Sequence, residues 1–209
     1  MKKNKKGLFL TFEGPEASGK STQIKLLKNF FLKNNIKFLV TREPGGTLIS
    51  EKIRNILLNK ENIINPAEEI LLLMASRLNH INTVIKPALK KNIVVISDRF
   101  ADSTFVYQGY VNKFGMDRSI KLHKLLLNNF LPKKTFLFKL SSNEIIKRLK
   151  KRKNKNKYDV IDDAFHKKVI SGYNKLSKNN NRFIIIDSRK SILHINNKII
   201  QTINRLYKI

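Results

Sequence analysis

The chain has no cysteine among its 209 residues. That excludes disulfides, cysteine-rich metal sites and a thiol nucleophile. It suits a reducing cytosol, and a cytoplasmic protein is expected. Acidic residues are scarce: 15 Asp and Glu stand against 43 Lys and Arg, a formal net charge of +28. Long apolar runs are missing as well. The longest, Ile70 to Ala75, is far too short to cross a bilayer, so no membrane partner is expected. The opening Met1-Lys2-Lys3-Asn4-Lys5-Lys6 is basic like a secretion signal. A short strand pattern and then Glu13 follow, with no small-residue cleavage site, so it does not read as one. His80, His123, His166 and His194 show no metal-ligand spacing and read as surface or half-buried side chains.

Positive charge points to nucleic acid when it is organised into a patch or module. Here the lysines are spread over the whole length, often beside Asn and Ile, as A/T-rich codons would produce. No nucleic-acid module is recognisable and no aromatics interleave the basic runs. No specific nucleic-acid partner is therefore expected. The runs Lys2–Lys6 and Lys150–Lys157 read as solvated faces or tails. A positive field also attracts anionic nucleotides.

What the chain does have is a regular alternation of strand and helix patterns. With 41% hydrophobic residues it can bury a sizeable core as one α/β domain spanning residues 1–209. Strands are expected at Leu8–Phe12, Lys37–Thr41, Ile93–Ser97, Thr135–Leu140 and Phe183–Ile186. Helices are expected at Lys20–Lys33, Ile49–Leu58, Pro66–Lys90, Asp117–Asn129, Asn143–Lys151, Asp162–Ser177 and Ile192–Tyr207. Asp117 is the expected N-cap of its helix, and Pro87 is expected to kink or end the long one. The alternation predicts a parallel sheet with helices on both faces and ligands at the strand carboxyl ends. Lys151 to Lys157, the most polar and least periodic stretch, is the expected mobile loop.

Gly14, Pro15, Glu16, Ala17, Ser18, Gly19, Lys20 and Ser21 fit G-x-x-x-x-G-K-[ST], a phosphate-binding loop. Glycines let successive N–H groups curl towards phosphate oxygens, Lys20 reaches the β/γ-phosphates, and the Ser21 hydroxyl can ligate Mg²⁺. The loop follows a strand pattern and opens a helix through Thr22, whose positive end adds to the cradle. ATP is the ligand this loop implies. A second motif, Asp98-Arg99-Phe100, closes the third strand. Asp98 can hold Mg²⁺ through water while Arg99 reaches a second phosphate; alone, it reads equally well as a surface pair.

Further strings surround these two: Thr41-Arg42-Glu43-Pro44-Gly45-Gly46-Thr47, then Arg54, then Leu73-Met74-Ala75-Ser76-Arg77, then Ser103 and Tyr107-Gln108-Gly109. In order and spacing the set closely resembles the thymidylate kinase family, from the first strand to about Tyr173. The resemblance implies the nucleoside monophosphate kinase fold, a five-stranded parallel sheet with a lid loop at about residues 148–160. It implies transfer of the ATP γ-phosphate to dTMP, with Mg²⁺, in a homodimer formed through the long helices. Residue by residue, it implies that Glu16 lies near the sugar 3′-hydroxyl and that Glu43 supports the acceptor site and its ion. Arg54 and Arg99 would grip the acceptor phosphate, and Arg77 would read the thymine edge. Ser103 and Gln108 would contact the base, and Tyr107 would crowd a ribose 2′-hydroxyl. The phosphate loop carries no arginine, so the mobile catalytic cation would come from the lid, as Arg148 or Arg152.

The chain departs from the family pattern in three places. Lys157 precedes Tyr158 where the lid usually has arginine. Leu73 stands where phenylalanine usually stacks on thymine. Lys139 replaces a frequent aspartate at the end of the fourth strand, a local structural change. Two other readings stay open at this point. One is a kinase of another nucleoside monophosphate or a deoxynucleoside; the other is a nucleic-acid-binding P-loop NTPase.

Overall fold

A computed structural model describes residues 7–59, 61–151 and 162–207. Five strands form one parallel sheet in the order β2-β3-β1-β4-β5. They are β1 Leu8–Glu13, β2 Phe38–Arg42, β3 Val94–Asp98, β4 Lys134–Lys139 and β5 Phe183–Asp187. The chain works to one side of β1 and then to the other, which leaves β1 central. In open α/β sheets the ligand crevice forms outside the strand carboxyl ends at such a switch. Phe12 and Arg42 both lie level with Asp98, so Glu13, Glu43 and Arg99 emerge at one end of the sheet.

The helices are α1 Lys20–Lys33, α2 Leu48–Leu58, α3 Pro66–His80, α4 Lys86–Lys90, α5 Ala101–Thr104, α6 Met116–Leu127, α7 Ser142–Lys150, α8 Asp163–Ser177 and α9 Ile192–Tyr207. Two π-helical segments join them: Ile81–Ile85 links α3 to α4, and Phe105–Val111 prolongs α5. Successive strand residues point to opposite faces, and here both faces are covered. Leu8, Leu10, Phe12, Val94 and Ile96 pack against Ile24, Leu27 and Phe31 of α1 and Ile195, Ile199 and Ile203 of α9. Phe9, Val95 and Leu137 face the other way, towards α3, α6, α8 and the π segments. In β1, β3 and β4 that two-sided burial is why the strands read as mostly apolar runs, while the edge strands β2 and β5 are only partly covered. Gln23 fastens α1 to α9: its Nε2 donates to the Ile192 carbonyl at 2.9 Å, and its Oε1 accepts from Asn196 Nδ2 at 3.2 Å.

Four expectations need correcting. The helix expected over Pro66–Lys90 is interrupted at Ile81–Ile85, where the Lys86 N–H reaches back to the Ile81 carbonyl. Pro87 has no N–H to donate and its ring crowds the carbonyl four residues earlier, so the backbone widens ahead of it. The stretch Ala101–Val111 is helical, although no helix was expected there. The sixth helix begins at Met116 with Gly115 in the cap position, which puts Asp117 in the first turn, where a carboxylate still suits the positive helix end. His80, His123 and His166 are buried rather than half-exposed, while His194 is exposed. Among the described residues no helix is long and apolar enough to cross a membrane.

Candidate active site

The phosphate loop leaves the central strand at Glu13. Gly14 follows with φ +133°, and a Cβ there would meet the Phe138 carbonyl oxygen at 2.4 Å, so only glycine fits. Lys20 opens α1 and is buried. Its Nζ donates to the Gly14 carbonyl at 3.1 Å, the Pro15 carbonyl at 2.8 Å and Ser18 Oγ at 3.3 Å. Burial lowers the ammonium pKa and the Arg99 charge adds to this. Asp98, Glu16 and Glu13 oppose them, and the result is about 8. Lys20 therefore stays charged at neutral pH. Ser21 Oγ donates to Asp98 Oδ2 at 3.3 Å. Thr22 lies in the exposed first turn of the helix.

Arg99 has φ +66°, a left-handed conformation that costs a non-glycine residue about 1–2 kcal/mol. Its N–H donates to the Phe12 carbonyl at 3.0 Å, and Ser97 Oγ donates to its carbonyl at 2.6 Å. Those bonds hold the strained residue and aim its guanidinium into the cleft. Nη2 meets Glu16 Oε1 at 2.7 Å and Nη1 donates to the Gly14 carbonyl at 3.0 Å. The Tyr107 hydroxyl donates to both Glu16 oxygens, at 2.9 and 2.7 Å, and Arg99 lies 5.2 Å over the Tyr107 ring. Burial pushes the Glu16 carboxyl up. Arg99, Lys20 and the Tyr107 hydroxyl outweigh that and hold it below its usual value.

Arg77 lies at the other end of the cleft, buried on α3. Nε donates to Glu43 Oε2 at 2.7 Å, Nη2 to Thr104 Oγ1 at 2.8 Å, and the guanidinium sits 5.2 Å from the centre of the Phe100 ring. The second Glu43 oxygen meets His80 Nδ1 at 2.9 Å, and His80 Nε2 pairs with Thr41 Oγ1 at 2.7 Å. Arg54, half-buried, donates to the Pro44 carbonyl at 2.8 Å. Leu73 and Gln108 are buried and line the same cleft, which runs from Lys20 past Arg99 to Arg77 and has a volume of about 240 Å³.

The structure thus brings Lys20, Ser21, Asp98, Arg99, Glu16 and Tyr107 to one end and Arg77, Glu43, Leu73 and Gln108 to the other. Ser103 Oγ lies 3.0 Å from Arg99 Nη1, and the hydroxyl beside Arg77 is that of Thr104. Arg148 stands outside this group. Its Nη1 donates to the Ala17 carbonyl at 3.2 Å and its Nη2 to the Ser188 carbonyl at 2.8 Å, so it braces the outer rim of the phosphate loop. Arg152, Lys157 and Tyr158 lie outside the described residues.

Sequence reasoning passed over Thr104, His80 and Glu13. His80 had a signal: it sits three residues after Arg77 and so shares its helix face. Glu13 had one too, as a carboxylate closing a wholly buried strand whose only other polar residue is Thr11. Beneath them Arg182 forks onto buried Asp102 at 2.7 and 2.6 Å, which anchors the floor of the site to the start of β5.

Among the described residues no three His, Asp or Glu side chains gather as a metal site. The Ser21 hydroxyl and Asp98 carboxylate are hard oxygen donors at the mouth of a phosphate loop. That pairing fits a divalent cation that keeps several waters and arrives with phosphate.

A phosphate loop rising from the central strand of a five-stranded parallel sheet, opposite an Asp-Arg pair, defines a P-loop protein of the nucleoside monophosphate kinase fold. A family profile described as Thymidylate kinase matches residues 12–199. The chain is 44% identical over 200 residues to a thymidylate kinase of Mycoplasma capricolum subsp. capricolum, covering 94% of each chain. It is 43% identical over 187 residues to one of Mesoplasma florum, covering 88% of this chain and 89% of the other. A thymidylate kinase of Caldanaerobacter subterraneus subsp. tengcongensis is 38% identical over 204 residues, covering 97% and 98%. The chain belongs to the thymidylate kinase family.

Proposed function

We infer that this protein transfers the γ-phosphoryl group of ATP to dTMP, giving dTDP and ADP. One observation carries the reading. A single cleft joins a phosphate loop with its Ser21–Asp98 pair to a buried arginine, Arg77, whose fork is fixed by Glu43 and Thr104. One end suits a polyphosphate and the other a planar, hydrogen-bonding base.

The acceptor is a phosphate whose second pKa is near about 6, so its attacking oxygen is already ionised at neutral pH. No general base is needed. The protein must hold two anions in line and offset charge in the transition state. In this reading Lys20 neutralises the β/γ-phosphate oxygens from the donor side. Arg99 and Arg54 hold the acceptor phosphate, as permanently charged planar forks do best. Glu16, kept ionised by Arg99 and Lys20, accepts from the sugar 3′-hydroxyl, and Tyr107 stands where a 2′-hydroxyl would intrude. Ser21 and Asp98 would hold Mg²⁺, which would supply charge neutralisation for the donor polyphosphate. Residues 148–160 serve as the lid, with Arg152 as the catalytic cation and Arg148 as a brace for the loop. We further take the active protein to be a cytoplasmic homodimer.

Coupled ADP release with Mg-ATP tests the reading, with dTMP, dUMP, dCMP, AMP, GMP and thymidine offered separately. Strong preference for dTMP is expected. Activity with a different acceptor alone would reassign the Arg77 end of the cleft. ATP hydrolysis that rises on adding DNA, with no acceptor activity, would overturn the reading.

A further inference from the structure

At Gly172, midway along α8, a Cβ would meet Val106 Cγ1 at 2.9 Å and Tyr110 Cδ1 at 3.0 Å. The missing side chain lets α8 press against the π segment Phe105–Val111. That approach carries the next residue, Tyr173, up against Arg99 and Ser103, where it is buried. Its hydroxyl lies 2.9 Å from Glu13 Oε2, 3.0 Å from Ser103 Oγ and 3.4 Å from Arg99 Nη1.

Glu13 organises this group. It is wholly buried and accepts from the Phe100 N–H at 2.7 Å, the Ser103 N–H at 3.3 Å and Ser103 Oγ at 2.6 Å, besides Tyr173. The hydrogens can be counted. Each hydroxyl has one, and both are drawn to the Glu13 carboxylate. The lone pairs of Ser103 and Tyr173 are then left facing Arg99 Nη1, whose two hydrogens serve three acceptors: the Gly14 carbonyl at 3.0 Å, Ser103 Oγ at 3.0 Å and, more loosely, the Tyr173 hydroxyl at 3.4 Å. The carboxylate thereby turns two ambivalent hydroxyls into acceptors for one guanidinium nitrogen. With Nη1 anchored, Nη2 is the end left towards Glu16 and the cleft.

We propose that Tyr173 is a positioning residue for Arg99, with the Glu13 carboxylate fixing the orientation of its hydroxyl. The inference rests on the reading above, that Arg99 holds the acceptor phosphate. Arg99 needs such support because its backbone is strained, and a strained residue persists only where its surroundings over-determine it. Its placement matters because small errors of alignment in phosphoryl transfer are costly in rate.

The test is a cycle of four enzymes: the parent, Tyr173→Phe, Arg99→Lys and the double variant, with kcat and both KM values measured at about pH 8, above the value of about 7 to which burial raises the Glu13 carboxyl. Tyr173→Phe keeps the ring and its packing. It should lower kcat about tenfold, through loss of the hydroxyl that bonds Glu13 at 2.9 Å and faces Arg99 at 3.4 Å, and leave the KM for ATP within about twofold. In the Arg99→Lys background the same change should alter kcat by less than about twofold, because the group it acts through is gone. A full additional tenfold loss in that background overturns the inference, and so does an unchanged kcat in Tyr173→Phe alone. Arg99→Lys at the parent rate would sink the reading of Arg99 itself and this inference with it. A slow Arg99→Lys with additive effects would sink this inference only.

Discussion

Arg77 and Glu43 meet at 2.7 Å with their side chains only 2% and 3% exposed. Two charges so far from water depend on each other. Glu43→Ala leaves a buried guanidinium uncompensated and should cost about 3–5 kcal/mol of stability. Adding Arg77→Met removes the stranded charge. The double variant should regain part of that loss in urea unfolding, yet have no preference for dTMP. A double variant no more stable than Glu43→Ala would show that the pair is not the source of the cost.

Leu73 lines the cleft on the same helix, four residues before Arg77. An aromatic ring there can stack on a base, an interaction worth about 1–3 kcal/mol. Leucine packing already supplies part of it, so Leu73→Phe should lower the KM for dTMP about fivefold. An unchanged or higher KM removes this account of the position.

Arginine makes a two-pronged contact with phosphate and lysine a single charge. If Arg152 supplies the catalytic lid cation, Arg152→Ala should depress kcat further than Lys157→Ala. The reverse order would assign that role to Lys157.

Stability should depend on pH through two buried groups that act in opposite senses. Burial, then the Asp102 charge, raises the Glu13 carboxyl from 4.5 to about 7. Between those values the folded protein holds the proton more tightly than the unfolded chain, so this contribution declines as pH rises. Burial, helped by Arg77, lowers His123 from 6.5 to about 4. Over that range the unfolded chain binds the proton more tightly, so this contribution is lost as pH falls. Glu13→Gln removes the first effect and keeps the second. The variant should lose more stability than the parent between about pH 7 and 5, as read by urea midpoints. Equal losses in the two proteins would mean that Glu13 titrates as an ordinary carboxylate.

Gly172→Ala places a methyl group 2.9 Å from Val106 Cγ1, a buried branched side chain with little room to yield. Overpacking of this kind costs about 1–3 kcal/mol. It should also push α8 outward, so kcat should fall together with the melting temperature. A variant with the parent's kcat and melting temperature would show that the two elements have slack.

The elements that were legible in the sequence have one clean side. Helices α1 and α9 run over Lys20–Lys33 and Ile192–Tyr207, the spans expected, because each lays a single apolar stripe on the sheet. The strands shift by only a residue or so, since each is a short, mostly apolar run. Ala101–Val111 was illegible for the opposite reason. Phe105, Val106, Tyr107 and Gln108 are all buried, so no polar face marks a helical period, and π geometry spoils the spacing further. At the site, motif strings located the residues that line the cleft. They could not reveal which pairs touch. Arg77 with Thr104, and Glu13 with Tyr173, are separated by 27 and 160 residues and meet only through the fold.

The brace between Gln23 and the start of α9 spans 169 residues. During synthesis that interval corresponds to roughly 10–30 s at common elongation rates. Throughout it the nascent polypeptide already contains Lys20 but lacks Ile195, Ile199 and Ile203, which cover Leu10, Phe12 and Ile96 on that side of the sheet. The face of the sheet that α1 covers therefore stays partly open until α9 has been made. Closure of that face waits for α9, made 169 residues after Gln23.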